Sequence, residues 1–522
     1  RFRGMFAFAI WDARRERLFF ARDRLGQKPL FYREEPGRLT FASELKALLQ
    51  VPGAPRELDH RAVDLFLTYQ YVPHPECILQ GYHKLPPAHY ATYDRGGRLS
   101  ISRYWEAPSR DAGDHRPPFA DPRLADADRW SDDDWRRTLR EALTESVRLR
   151  MRSDVPIGSF LSGGIDSTII SGLMQSLADR PIHTFSIGFP VPKFDERAFA
   201  REAAQHLGTE HHEYVVEPSA IDMLPRLIWH YDEPFGDSSA IPTMYLSQVT
   251  RQVVTVALSG DGGDELFGGY DRYQAVRYAH KLDWIPQSLR GIFAWQGWQR
   301  FPGSTDQRAF DRRLKRFLAA LGQPPERRYL RWVGIFDDEL RSELYTPEFR
   351  DSLQGFQSWQ FIWAAHNHAR GRDLITRTMA ADVHSYLPCD ILTKVDIASM
   401  SYSLEARSPF LDHHVAEIAA RMPLRLKQNN RRGKLILLHA FRDLLPESIR
   451  TRRKMGFGVP IDHWFRKELN SLLHDTLLDD TARSRGILNP TTVERLVREH
   501  ESTRFDHSYR LWNLVSLEQW CR

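Results

Sequence analysis

The sequence predicts an α/β protein built on a doubly wound parallel sheet, and three observations predict it. Strand-like and helix-patterned runs alternate through residues 131–260. The strands among them lack polar alternation. Two of the strands end in glycine-aspartate turns, "LSGGIDS" and "LSGDGGDELFGGY". Strands separated by helices pair in parallel, and strands covered on both faces are apolar throughout. In such sheets a ligand sits at the carboxyl ends of the strands, so the two turns are expected to converge on one anion-binding pocket.

The elements follow in order. "RFRGMFAFAIWD" alternates like a strand and "RERLFFARD" reads as its partner. Helical stretches follow near "ASELKALLQ" and "DHRAVDLFL". Residues 1–105 therefore read as a β-rich or α+β unit. A chain that begins inside a sheet, with no lead-in, reads as a fragment without its own N-terminus. Residues 106–130 hold four prolines and many aspartates without periodicity, as a linker or exposed loop does. From Trp135 an amphipathic helix is expected, with Leu139, Leu143 and Val147 four apart. Then come a strand ending at Leu161, its helix, the strand "IHTFSIGF", the helix "RAFAREAAQHLG", the strand "HEYVVE", the helix "IDMLPRLIWH" and the strand "VVTVALSG". Beyond about residue 275 the pattern is helical and rich in tryptophan, including Trp284, Trp332, Trp359 and Trp363; core packing is the expected role.

Composition narrows the partners. The chain has 522 residues, 42% of them hydrophobic and 27% charged, which asks for more than one core. No apolar run approaches ~20 residues, so a membrane span is not expected. Cys77, Cys389 and Cys521 are odd in number and widely spaced, which fits a reducing compartment such as the cytoplasm and speaks against a disulfide framework. A net charge of +5 admits an anionic substrate without arguing for nucleic acid or membrane.

The turn "FLSGGIDSTIISGLM" carries the chemistry. Gly163 and Gly164 permit left-handed angles and a close approach. Ser162, Ser167 and Thr168 place hydroxyls at a helix start, where free N–H groups and the helix dipole favour an anion. That reading is a phosphate site with Asp166 as a metal ligand. In the second turn, Asp261, Asp264 and Glu265 read also as a solvated acidic loop; the spacing of a calcium loop is missing. His211 and His212 stand on opposite faces of a strand and read as structural. His413 and His414 are read the same way. The absence of G-x-x-x-x-G-K-[ST] leaves a P-loop ATPase unsupported.

"SGGIDS" resembles the pyrophosphate loop of the N-type ATP pyrophosphatases. Together with "SGDGGDELFGGY", "DILTKVDIASMSYSLEARSPFLD" and "RRKMGFGVP", in that order, the chain resembles the glutamine-dependent asparagine synthetases. "GMFAFAIWDARRERLFFARDRLGQKPLFY" looks like the last part of that family's glutaminase domain. The resemblance implies a partial α+β N-terminal-nucleophile domain at 1–105, a linker at 106–130, and at 131–522 an adenine nucleotide alpha hydrolase-like synthetase domain with a helical C-terminal part. It implies that Ser162, Gly163, Gly164, Asp166 and Ser167 cradle the pyrophosphate of ATP. Leu161, Ile187, Ser259 and Gly260 would contact the nucleotide, and Asp166 and Asp264 would hold Mg²⁺. Lys454 would face the α-phosphate and Asp261 would take a catalytic position, where fixed charge stabilises the growing negative charge. Glu405 and Arg407 lie where the family holds its acceptor, and they read also as a structural ion pair.

The implied partners are small molecules: ATP, aspartate or a similar carboxylate, and glutamine or ammonia. A homodimer is compatible with the resemblance. The family's glutaminase nucleophile is an N-terminal cysteine, which these residues lack, so no catalytic residue is assigned to the first domain and glutamine hydrolysis is not expected of this chain. Two departures bear on the acceptor. Asp261 stands where the family has glutamate, and "DEPFGDSSAIPT" lacks the threonine-threonine-x-arginine pattern. Relatives of this superfamily amidate sugars or antibiotics, and a homologue that binds nucleotide without catalysis is the reading from another class.

Overall fold

The computed structural model describes residues 2–106, 122–124, 126–189, 195–216, 220–287, 289–290, 310–452 and 458–522. The N-terminal part contains two antiparallel sheets. β1 (Ala7–Asp12), β2 (Arg17–Arg22), β6 (His89–Tyr93) and β7 (Leu99–Arg103) form one, in the order β1-β2-β6-β7. β3 (Phe31–Glu35), flanked by β4 (Arg38–Ala42) and β5 (His83–Lys84), forms the other. Phe20, Leu30, Tyr32, Leu85 and Ala91 make one buried cluster that joins strands of both sheets. The expected pairing of the first two runs appears as an antiparallel register with Ala7 opposite Arg22.

The helix His60–Tyr69 links this part to the rest. Asp59 caps it by accepting from the N–H groups of Arg61 and Ala62, and Gln70 ends it in the left-handed region at φ +68°. Nearly all its side chains are buried. Tyr69 donates its hydroxyl proton to the Ser358 carbonyl at 2.8 Å, and Asp64 accepts from Arg341 at 2.8 Å. Leu65 and Phe66 accordingly share one hydrophobic core with Tyr345, Ile362 and Leu511, so the core runs across both sides of the 106–130 stretch. Within that stretch, residues 107–121 and 125 lie outside the described residues. The described remainder is not an exposed loop throughout, because Leu124 and Ala127 are buried.

The helix Asp132–Arg150 begins three residues before the expected Trp135. Ser131 and Asp134 form a reciprocal capping box and three aspartates occupy the first turn. The parallel sheet follows: β8 (Ile157–Phe160), β9 (His183–Gly188), β10 (Glu210–Val215), β11 (Val256–Leu258) and β12 (Glu405–Arg407). Its order is β10-β9-β8-β11-β12, parallel at every pairing. β12 is a strand that the sequence reading did not anticipate; three residues show no periodicity of their own. The expected helices appear as Ile165–Leu177, Arg197–Leu207 and Ala220–Tyr231.

The tryptophans divide. Trp332 is buried as expected, whereas Trp284 is 81% exposed and Trp363 is 48% exposed, so core packing does not account for those two. Cys77 and Cys389 are buried free thiols, and Cys521 is also unbridged. Among the described residues no helix is long and apolar enough to cross a membrane.

Candidate active site

β8 and β11 lie side by side, Val256 beside Ile157 and Leu258 beside Ser159, which brings the two loops after them face to face. The strand order runs outward from β8 to β10 and returns at β11. Loops diverge where winding reverses, and the crevice they leave is the usual ligand site. Here it is a cleft of about 1120 Å³.

In the first loop Gly163 takes φ +66°, and a Cβ there would stand 2.5 Å from the backbone carbon of Phe199. Gly164 is not left-handed as the glycine pair suggested. At φ −83° and ψ 161° it is the extended N-cap of the helix Ile165–Leu177. The hydroxyls of Ser162 and Ser167 are 3.1 Å apart, and the Gly164 N–H points at the Ser162 hydroxyl from 3.3 Å. Hydroxyls and first-turn N–H groups thus share one edge of the cleft, an arrangement that suits phosphate oxygens.

The second loop closes on Asp166. A Cβ at Gly263 would come within 2.6 Å of the Asp166 Cγ, so only glycine admits the carboxylate there. Asp166 and Asp264 converge on one ammonium. Lys434 Nζ bonds the Asp166 carboxylate and lies 2.6 Å from Asp264 Oδ1. Burial disfavours the charged lysine, but the two carboxylates outweigh it and push its pKa up. Lys434 reaches this place from a strained backbone, φ +58°, at a cost of about 1–2 kcal/mol.

A second charged group lies beside the first. Lys394, on the helix Leu392–Met400, donates to Asp237 Oδ2 at 2.7 Å and to the Ser239 hydroxyl at 2.8 Å. Asp390 accepts from Gln70 at 2.8 Å. Burial, then the Asp237 charge, pushes the Asp390 pKa well up, while Lys394 draws the Asp237 pKa down against its own burial. Asp261 accepts from the Ser259 hydroxyl at 2.7 Å, and burial raises its pKa. Arg452 donates to the Gly163 carbonyl at 3.0 Å, pairs with Glu196 and covers the Phe199 ring at 4.1 Å, holding the first loop from behind.

The structure therefore brings Leu161, Ser162, Gly164, Asp166, Ser167, Ile187, Ser259, Gly260, Asp261 and Asp264 onto one cleft, with Gly163 shaping the loop behind it. Lys454 lies outside the described residues. Glu405 and Arg407, expected where the acceptor is held, are not among the residues that line the cleft. Arg407 bonds Glu405 at 2.7 Å and donates to the Arg150 and Arg152 carbonyls at 2.7 and 2.8 Å, where it stabilises the end of the helix Asp132–Arg150. Lys434, Lys394, Asp237 and Arg452 escaped the sequence reading. "DILTK" and "FGDSS" were visible as segments, but their pairing is tertiary; "RRGK" shows only a glycine before an apolar run.

The architecture and cleft define a class: a doubly wound sheet with a glycine-bent anion cradle and an acidic pair at its switch point. Residues 138–522 match the family model described as asparagine synthase, and residues 1–105 match that of a glutamine amidotransferase domain. The whole chain is 31% identical to asparagine synthetase (glutamine-hydrolysing) 1 of Bacillus subtilis, over 77% of that protein. It is 34% identical to a putative asparagine synthetase (glutamine-hydrolysing) of Mycobacterium tuberculosis, over 76% of that protein. An amidase, chyE, of Penicillium rubens is 25% identical over 95% of this chain and 75% of its own length. The chain belongs to the asparagine synthase family, whose synthetases are ligases that form carbon–nitrogen bonds.

Proposed function

We propose that the cleft adenylates a carboxylate with ATP and passes the acyl-adenylate to ammonia, with aspartate as the acid and asparagine, AMP and pyrophosphate as products. The observation that carries this reading is the convergence of Asp166 and Asp264 on one cation beside the Ser162–Ser167 loop. A free carboxylate is a poor electrophile. Attack of its oxygen on the α-phosphorus breaks the bond to pyrophosphate and leaves AMP as a good leaving group, which ammonia then displaces. Hydroxyls and N–H groups of Ser162, Gly163, Gly164 and Ser167 hold the departing pyrophosphate, while Leu161, Ile187, Ser259 and Gly260 seat the nucleotide. Lys454 belongs to the α-phosphate in this reading; Arg452 and Gly458, on either side of its segment, both line the cleft.

Two carboxylates that already grip one buried ammonium also suit a hard dication. Asp166 and Asp264 would hold Mg²⁺, which screens phosphate charge when bound. Asp261, kept in the acid-rich wall by Ser259, positions the acceptor side of the cleft. A second reading, amidation of a different carboxylate, is favoured by the aspartate at 261 and by the likeness to a fungal amidase.

ATP–pyrophosphate exchange tests both. Aspartate-dependent exchange is expected, and Asp166→Ala is expected to lower it by at least about a thousandfold without loss of circular dichroism. Exchange that ignores aspartate and answers another acid selects the second reading. Exchange that survives Asp166→Ala removes the metal-ligand assignment.

A further inference from the structure

The amino-terminal rim of the parallel sheet, at the opposite end of the strands from the cleft, carries a cluster that the proposed reaction leaves unused. His183 opens β9 and Glu210 opens β10, and the register places them side by side, with His212 beside Phe185. The expected divergence of the neighbouring histidines is observed. His211 turns to Thr184 and Ser186, at 2.9 and 3.1 Å. His212 turns to the other face, where its Nε2 lies 3.1 Å from His183 Nδ1. Glu210 completes the triangle, with Oε2 3.4 Å from His183 Nδ1 and Oε1 3.6 Å from His212 Nε2.

We propose that His183, Glu210 and His212 form a binding site for one divalent transition-metal ion of the Zn²⁺ class. Zinc bonds of about 2.0–2.1 Å put the corners of a tetrahedron about 3.3 Å apart; the two ring nitrogens are 3.1 Å apart, and each lies 3.4 or 3.6 Å from a different oxygen of the Glu210 carboxylate. Two ring nitrogens and one carboxylate on adjacent strands converge, with one ligand atom from each within 4.8 Å of the others. Burial, then the neighbouring His183, lowers the pKa of His212 and favours the neutral imidazole that ligates. Among the described residues, these two imidazoles are the only basic side chains within ion-pair distance of Glu210. His183 is half-buried and Glu210 is exposed, which leaves the fourth corner to water. The grouping of Glu106, His368 and His384 lacks this clarity: Arg103 already holds Glu106 at 2.9 Å and opposes a second cation. An ion at the rim would staple the edge strand β10 to β9 at their first residues.

The chain, stripped with EDTA, is titrated with Zn²⁺ alone. Binding is expected to weaken at least about tenfold in His183→Ala, His212→Ala and Glu210→Gln. Zn²⁺ is expected to raise the melting temperature of the parent chain and not of His212→Ala, with circular dichroism confirming that each variant folds. Co²⁺ in the same site should show the intense visible absorption of a four-coordinate ion, lost in His212→Ala. No Zn²⁺ binding at micromolar concentration, binding unchanged in all three variants, or a weak six-coordinate Co²⁺ spectrum would each overturn the site.

Discussion

Lys434 and Lys394 are both buried at the cleft and each faces two carboxyl groups, yet the excess negative charge is resolved differently. Around Lys394 the two carboxyl groups are driven apart: burial and the Asp237 charge push the Asp390 pKa well up, and Asp237 carries the ion pair. Lys394 and its partners come from adjacent packed helices and loops, with Ser239 and Gln70 completing the hydrogen bonds. Around Lys434 the arrangement is held at a backbone cost, by a left-handed residue after a glycine whose Cβ would collide with the Gly268 carbonyl. One cluster is finished as a structural unit. The other presents two carboxylates to whatever cation occupies the cleft. The lesson is that a buried lysine between acids has two uses, and the partner that takes up the second charge tells them apart.

The largest effect separates the two lysines directly. Lys394→Met leaves the buried Asp237 charge unpaired and is expected to cost about 3–5 kcal/mol in urea denaturation. Lys434→Met is expected to lose a similar amount in EDTA and to regain it when millimolar Mg²⁺ is added, because Asp166 and Asp264 then have a dication. An identical Mg²⁺ response from both variants would erase the distinction.

A smaller effect comes from the inverse arrangement, one carboxylate between two guanidinium groups. Asp412 accepts from Arg3 at 2.8 Å and Arg150 at 3.0 Å; burial alone would raise its pKa, but the arginines lower it from 3.8 to about 2. A depressed folded-state pKa means that the stabilisation is complete above the unfolded value and is lost as pH falls through the folded one. Asp412→Asn is therefore expected to cost about 2 kcal/mol at pH 7, and to flatten the decline in stability between roughly pH 4 and pH 2. An unchanged acid limb in urea titrations at those pH values would refute this account.

The smallest effect concerns the edge of the sheet. Glu405 is part-exposed and pairs with Arg407 away from the cleft. Glu405→Gln is expected to cost less than about 1 kcal/mol and to leave the KM for the acceptor in exchange assays unaltered. A tenfold rise in that KM would return Glu405 to the acceptor site.

Much of the cleft was legible before any coordinates. "LSGGIDS" and "LSGDGGDE" each announce a strand end, a turn and an acid, and both loops lie on one crevice. The doubly wound order was legible from the alternation of apolar runs with helical ones. β12 was not, since its three residues have no pattern apart from the neighbour that hydrogen-bonds them. Nor was the role of Arg407, because its partners are backbone carbonyls hundreds of positions away.

Local chemistry belongs to the chain as written: which turns need glycine, which runs are apolar, and which acids follow a strand. These depend on dihedral preference and on neighbours within a few residues, so order along the chain is enough to read them. Which charge faces which is another matter. That Lys434 stands between Asp166 and Asp264, that the Asp390 pKa is pushed up beside Asp237, and that His183 meets His212 all follow from strand register and helix packing. Desolvation and Coulomb energy depend on distance in space, which only the folded molecule sets.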